Sequence, residues 1–167
     1  MSTDPLETLA ARVGTRLREK RALLVTAESC TGGWVAQAVT AIAGSSEWFE
    51  RGFVVYSNAA KEELLGVRSE TLQRCGAVSE QTARELALGA LARSKGTISV
   101  AVTGVAGPSG GSATKPVGLV WFAWATNDGI KSESRNLAGD REAVRRQSVQ
   151  RALEGVLEAL DAGLPRA

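Results

Sequence analysis

Thr26-Ala27-Glu28-Ser29-Cys30-Thr31-Gly32-Gly33 joins two differently patterned apolar segments near the start of the chain. Ala22-Leu23-Leu24-Val25 leads into it, and an apolar-periodic segment from Trp34 to Ile42 leads out. An apolar run, a glycine-rich turn and a helical period predict a buried strand, a tight turn and a helix. Ser29 then stands at the carboxyl end of the strand, where ligands sit in open α/β sheets. Gly32 and Gly33 let backbone N–H groups approach a substrate with no Cβ in the way. The helix start carries partial positive charge and favours a developing oxyanion or a phosphate. An ordinary capped strand-to-helix connection is the plain alternative.

Outward from this turn the chain alternates strand and helix patterns. Leu6, Leu9, Ala10, Val13 and Leu17 recur at helical spacing after Asp4-Pro5. Phe53 to Tyr56 predicts a second strand, and Trp48-Phe49 a packed turn before it. Asn58 is expected to cap a short helix from Ala59 to Leu65, ended by Gly66. Arg68 to Cys75 and a longer segment opening at Ser79 read as further helices. Thr97 to Val102 is a third strand, Val117 to Ala125 a fourth and Ile130 to Leu137 a fifth. Asn127-Asp128-Gly129 between the last two is a hairpin signal, so one pair should be antiparallel. Gly139-Asp140 opens the final helix, with Val144, Val149, Leu153, Val156, Leu157 and Leu160 facing inward. The expected fold is α/β: one domain, residues 1–167, a three-layer α/β/α sandwich on a mixed, mostly parallel sheet of about five or six strands.

Composition narrows the chemistry. At 167 residues, 44% hydrophobic and 23% charged, the chain can bury a core without disulfides or metal. The net charge of +2 is spread along it with no basic stripe, which argues against nucleic acid or a membrane as partner. No apolar run reaches bilayer length, so a cytoplasmic location is expected. Cys30 and Cys75 are the two cysteines, and there is no histidine. Ser-His-Asp and Cys-His catalysis are therefore excluded, and a general base must be Lys, Tyr, Asp or Glu.

Four pieces fall at strand ends or helix starts: Ser29 with its glycines, Tyr56 to Lys61, Thr103 to Gly111, and Arg141 with Arg145. Lys61 sits early in its helix, where the dipole lowers the pKa of an amine as a neutral lysine base requires, although Glu62 and Glu63 oppose this. Thr103 to Gly111 is neither a P-loop nor a dinucleotide fingerprint, yet has the length of a binding loop. Arg141 and Arg145, four apart, share a helix face and can form a fork for phosphate. Solvated surface residues and an unliganded flexible loop are the alternatives. A serine nucleophile, a lysine base and backbone donors together support hydrolysis of a phosphorylated amide or ester without histidine.

Ala27 to Gly33, Val55 to Lys61, Gly76-Ala77-Val78-Ser79, Thr103 to Pro108, Lys115 to Gly118 and Gly139-Asp140-Arg141, in that order, resemble the CinA C-terminal domain family. Members that stand alone resemble nicotinamide-nucleotide amidohydrolases, which convert nicotinamide mononucleotide to nicotinate mononucleotide and ammonia in pyridine nucleotide salvage. The resemblance implies Ser29 as nucleophile, Lys61 as its base and Tyr56 in support. The mechanism then expected uses amides of Thr31, Gly32 and Gly33 for the oxyanion. Thr103, Gly104, Gly107, Arg141 and Arg145 would hold the substrate, and no metal or cofactor is implied. A thiol enzyme using Cys30 and a non-catalytic nucleotide-binding module stay open, as does a homo-oligomer.

Overall fold

The structure is a computed structural model that describes residues 4–166. Helix α1 (Pro5–Glu19) starts with Pro5 in its first turn, and the Asp4 carboxylate accepts the Leu6 N–H at 3.0 Å. Strand β1 (Leu24–Glu28) delivers Ser29, and α2 (Trp34–Thr40) follows the glycine turn. Beyond a 3₁₀ turn at Ser45–Glu47 come β2 (Phe49–Val54), α3 (Asn58–Leu65), α4 (Ser69–Cys75) and α5 (Glu80–Ala92). The chain closes with β3 (Ile98–Gly104), β4 (Leu119–Thr126), β5 (Ile130–Asn136) and α6 (Arg141–Ala162).

The five strands form one mixed sheet in the order β2-β1-β3-β4-β5. β1 runs parallel to both β2 and β3, whereas β4 is antiparallel to both β3 and β5. Four strands thus point one way and β4 alone is reversed. The expected hairpin at Asn127–Gly129 accounts for one antiparallel pair. The second arises at the loop from 105 to 118, which carries no crossover helix and so returns the chain antiparallel.

Side chains alternate along each strand, and the two faces are covered by different helices. Leu24, Ile98, Val100, Val102, Phe122 and Trp124 pack with α1, α2 and α6. Val25, Ala27, Ala101, Ala123 and Ala125 pack with α3, α4 and α5. Both faces read as near-continuous apolar runs in β1 and β3 because both are buried. Two tryptophans are seated on glycines where no side chain fits. A Cβ on Gly14 would lie 2.5 Å from the Trp48 ring, and one on Gly155 2.0 Å from that of Trp124. No helix among the described residues is long and apolar enough to cross a membrane.

Two local expectations are corrected. β2 begins at Phe49 and ends at Val54, earlier than Phe53 to Tyr56. It is an edge strand carrying Glu50, Arg51 and Gly52, so it lacks the apolar run that marks the buried strands. Helix α3 is capped by Ser57, whose hydroxyl accepts the Ala60 N–H at 3.0 Å, and Asn58 is its first helical residue. Gly66 ends α3 in the left-handed conformation as expected (φ 69°).

Candidate active site

The strand order places the carboxyl ends of β2, β1 and β3 side by side, and the chain leaves β1 toward one neighbour and β3 toward the other. That is the crevice position of open α/β sheets. Ser29 is fixed there by its N–H, which donates to Val102 O at 2.9 Å, while Val55 N–H on the other flank donates to Glu28 O at 2.9 Å. The chain turns into α2 through Gly32 (φ 60°) and Gly33 (φ 103°), consecutive left-handed residues that a side chain would strain.

Glu28 is the residue that closes this turn. Its carboxylate is 1% exposed and accepts the Thr31 hydroxyl at 2.7 Å and the Val35 and Ala36 N–H groups at 2.8 and 3.0 Å. The positive end of α2 is therefore filled by a side chain of the protein itself. This corrects the expectation that the helix start faces the substrate. Gly32 N–H donates back to Ser29 O at 3.1 Å, and Thr31, Gly32 and Gly33 do not line the cavity described below.

Ser29, Tyr56, Lys61, Thr103, Gly104, Gly107 and Arg141 do line one cavity, of about 350 Å³, together with Cys30. Asn58, Ala77, Val78, Ser109 and Gly110 complete the wall. The volume suits a small ligand. A larger groove of about 590 Å³ runs between α1 and α6, but Ala11, Ile42 and Leu157 line it beside an Arg16 already paired with Asp161 and Glu19. Its hydroxyls are those of Thr8 and Thr15, the latter donating to Ala11 O, and no lysine lines it.

Within the cavity Lys61 is 1% exposed, and its Nζ donates to Tyr56 O at 3.0 Å. Burial lowers its pKa, with the neighbouring Cys30 sulfur acting weakly the other way. No hydrogen bond joins Lys61 to Ser29, and the Ser29 hydroxyl has no partner among the described residues. Burial pushes the Cys30 thiol up to about 12; Glu28 adds to this, while Cys30's own backbone N–H, Arg145 and Lys61 oppose it.

The Tyr56 ring is 62% exposed at the rim. Arg141 reaches it from α6, donating from Nη2 to Tyr56 Oη at 3.1 Å and from Nη1 to Gly107 O at 2.7 Å. The Thr103 hydroxyl donates to Ala77 O at 2.8 Å. The far end of the loop is tied down by Lys115, whose ammonium donates to Cys75 O at the carboxyl end of α4, where a cation suits the helix dipole.

Arg145 is the second correction. Its Nε and Nη2 donate to Cys30 O and Thr31 O, each at 3.1 Å, and its guanidinium stacks over Trp34 at 5.5 Å. It does not line the cavity, and the expected two-arginine fork is not formed. Glu28, Asn58, Val78 and Lys115 also build the site, although none of them is among the residues expected to act there. For Glu28 a signal existed: a carboxylate closing an apolar strand, just before a helix with glycines in place of a capping side chain.

Taken together, the cavity offers a free hydroxyl, a buried amine biased toward its neutral form and a guanidinium at the mouth. Those are the parts of an acyl-transfer site for an anionic substrate.

A model of the CinA C-terminal domain matches residues 6–160. The nicotinamide-nucleotide amidohydrolase PncC of Escherichia coli K12 is 53% identical over 155 residues, covering 92% of this chain and 94% of that protein. Its namesake from Pseudomonas putida is 52% identical, covering 93% and 97%. The crystal structure of the competence/damage inducible protein CihA from Agrobacterium tumefaciens superimposes with a TM-score of 0.91 at 49% identity, covering 96% of this chain and 99% of that one.

Proposed function

The chain belongs to the CinA C-terminal domain family, and we propose that it hydrolyses the carboxamide of nicotinamide mononucleotide, giving nicotinate mononucleotide and ammonia. The observation that carries this reading is Lys61, an amine buried to 1% exposure with its pKa lowered, on the wall of the cavity that holds the Ser29 hydroxyl. A solvated surface lysine would be protonated near neutral pH and could not act as a base.

Lys61 leaves Tyr56 O when substrate enters and takes the Ser29 proton as Oγ attacks the carboxamide carbon. The new O–C bond puts negative charge on the amide oxygen, which backbone N–H groups of the Ser29 turn receive. Lys61 passes its proton to the leaving nitrogen, the C–N bond breaks, and ammonia departs. Water then attacks the acyl-enzyme with Lys61 again as base, and Ser29 regains its proton. Arg141 and the loop amides around Ser109 and Gly110 meet the phosphate at the cavity mouth. The product feeds pyridine nucleotide salvage in the cytoplasm.

The test is ammonia release from nicotinamide mononucleotide by the purified protein, with and without EDTA. Turnover that EDTA does not change supports the reading. Tight binding without ammonia release makes the protein a nucleotide-binding module, and loss of activity with EDTA brings in a metal.

A further inference from the structure

The loop between β3 and β4 hangs on one side chain. Residues 108–114 are exposed, and the turn that closes them is local: Ser112 N–H donates to Lys115 O at 2.8 Å, and Lys115 N–H to Ser112 Oγ at 3.1 Å. From that turn Lys115 Nζ donates to Cys75 O. Among the described residues no other hydrogen bond or ion pair joins 108–115 to the rest of the molecule. The loop's start is held separately, at Gly107 O, by Arg141. An exposed segment with so few ties opens at low cost. Yet Ser109 and Gly110, in its middle, line the cavity that holds Ser29.

The far side of the Lys115 bond is rigid. Cys75 O is the last carbonyl of α4, where a helix leaves acceptors free and favours a cation. Next to it, Gly76 O accepts the Ser79 and Thr82 hydroxyls at 2.9 and 2.7 Å, and Ala77 O accepts that of Thr103 at 2.8 Å. Ala77 and Val78 line the cavity from this side. Gly76 leaves room for the ammonium: a Cβ there would lie 2.7 Å from Lys115 Nζ. Lys115 therefore joins two walls of one cavity, a fixed one and a loosely held one, without lining the cavity itself.

We propose that Lys115 is a positioning residue, a latch that holds Ser109 and Gly110 against the nucleotide, so that the junction of α4 and α5 sets how tightly the phosphate end is bound. This rests on the reading of the cavity as a nicotinamide mononucleotide site. Lys115 touches neither substrate nor Ser29. It acts through the loop, and its effect belongs to binding rather than to the chemical step.

The experiment compares wild-type protein with Lys115→Met and Lys115→Arg on nicotinamide mononucleotide and nicotinamide riboside, with subtilisin nicking of the folded proteins read by mass spectrometry. Losing a hydrogen bond from a charged group shifts a closed-to-open equilibrium by roughly 10- to 10²-fold, and affinity falls with the fraction still closed. In Lys115→Met, KM for the mononucleotide should therefore rise about 10-fold with kcat little changed, and the riboside reaction should scarcely alter. Nicking between 108 and 117 should quicken in Lys115→Met, and saturating nicotinate mononucleotide should slow it in wild type. Lys115→Arg, which keeps a cationic donor, should stay near wild type on every readout. Unchanged KM or unchanged nicking in Lys115→Met would overturn the proposal. So would a fall in kcat shared by both compounds, which would place the effect at Ser29 rather than at the loop. A Lys115→Met protein that lacks native near-ultraviolet dichroism would make Lys115 a folding residue, which also overturns it. Wild-type protein that releases no ammonia is a separate result: the hydrolase reading fails. The latch is then judged by nicking and by the calorimetric affinity for nicotinate mononucleotide, which should fall about 10-fold in Lys115→Met and would overturn it if unchanged.

Discussion

Lys61 Nζ donates to the carbonyl oxygen of Tyr56 at 3.0 Å, five residues back along the same strand-to-helix connection. The base proposed for Ser29 is thus held by the backbone of the residue whose phenol meets Arg141. Burial and a neutral acceptor leave the ammonium form of Lys61 uncompensated, which is the physical origin of its lowered pKa.

The first prediction follows from that origin. Activity should rise on the acid side of the pH profile as Lys61 loses its proton, with an apparent pKa below the ordinary 10.5 of a lysine. Lys61→Arg should be inactive near neutrality, because a guanidinium keeps its proton. The stability sign is opposite to that of a paired lysine. The unfolded chain binds the proton more tightly than the fold does, so stability rises with pH between the folded pKa and 10.5, and the full penalty applies below that window. Lys61→Met should therefore lose turnover and unfold a few degrees higher than wild type at pH 7 in a thermal scan.

The second separates hydroxyl from thiol. With Cys30 held up to about 12, almost no thiolate exists at pH 7 to 8. Cys30→Ala should keep turnover within a few-fold of wild type and Ser29→Ala should lose several orders of magnitude. Iodoacetamide should react slowly with Cys30 in native protein. An inactive Cys30→Ala beside an active Ser29→Ala would hand the chemistry to the thiol.

The turn at Ser29 was legible because three signals coincide there: an apolar run, two glycines and a helical period. The same holds for β3, where both faces are buried and Ile98, Val100, Ala101 and Val102 dominate the strand. Edge strand β2 was misplaced because half-exposed Glu50 and Arg51 leave no such run. Residues whose part depends on a distant partner were not legible at all. Nothing local tells that Lys115 meets Cys75 O, forty residues away, or that Arg145 meets Cys30 O. Arg141 and Arg145 do share a face of α6, but lie one helical turn, about 6 Å, apart. That separation suffices for one to reach the cavity mouth and the other the turn beneath it.

A third prediction concerns the two buried polar groups behind the nucleophile, Glu28 and Thr26. Glu28→Ala strands the Thr31 hydroxyl and two helix-start amides, and should cost about 3 kcal/mol or more in urea unfolding. Glu28→Gln, which can still accept from Thr31 and Val35, should cost less. Thr26 is the reverse case. Its hydroxyl is buried without a hydrogen-bond partner, 2.7 Å from where a Cβ on Gly52 would sit. Thr26→Val keeps the shape and removes an unsatisfied group, so it should be neutral or stabilise by about 1 kcal/mol.

The last prediction assigns the phosphate to one arginine. Arg141 is exposed at the cavity mouth with Nη1 on Gly107 O and Nη2 on Tyr56 Oη, both neutral acceptors. A phosphate at the mouth can replace the phenol as partner, and a charge-assisted bond is the stronger of the two. Hydrogen bonds to charged groups are worth roughly 1.5–3 kcal/mol. Arg141→Ala should therefore lower kcat/KM for nicotinamide mononucleotide by about 10- to 10²-fold, mainly through KM. On nicotinamide riboside, which lacks the phosphate, the same substitution should scarcely matter. The four rate constants form a cycle between side chain and phosphate whose coupling should match the single losses. Tyr56→Phe refines the reading. It removes the acceptor that Arg141 must give up, so mononucleotide binding should tighten slightly if the phenol serves only to hold the arginine. Equal losses from Arg141→Ala on both substrates would instead mean that Arg141 works by holding the Gly107 loop over the cavity.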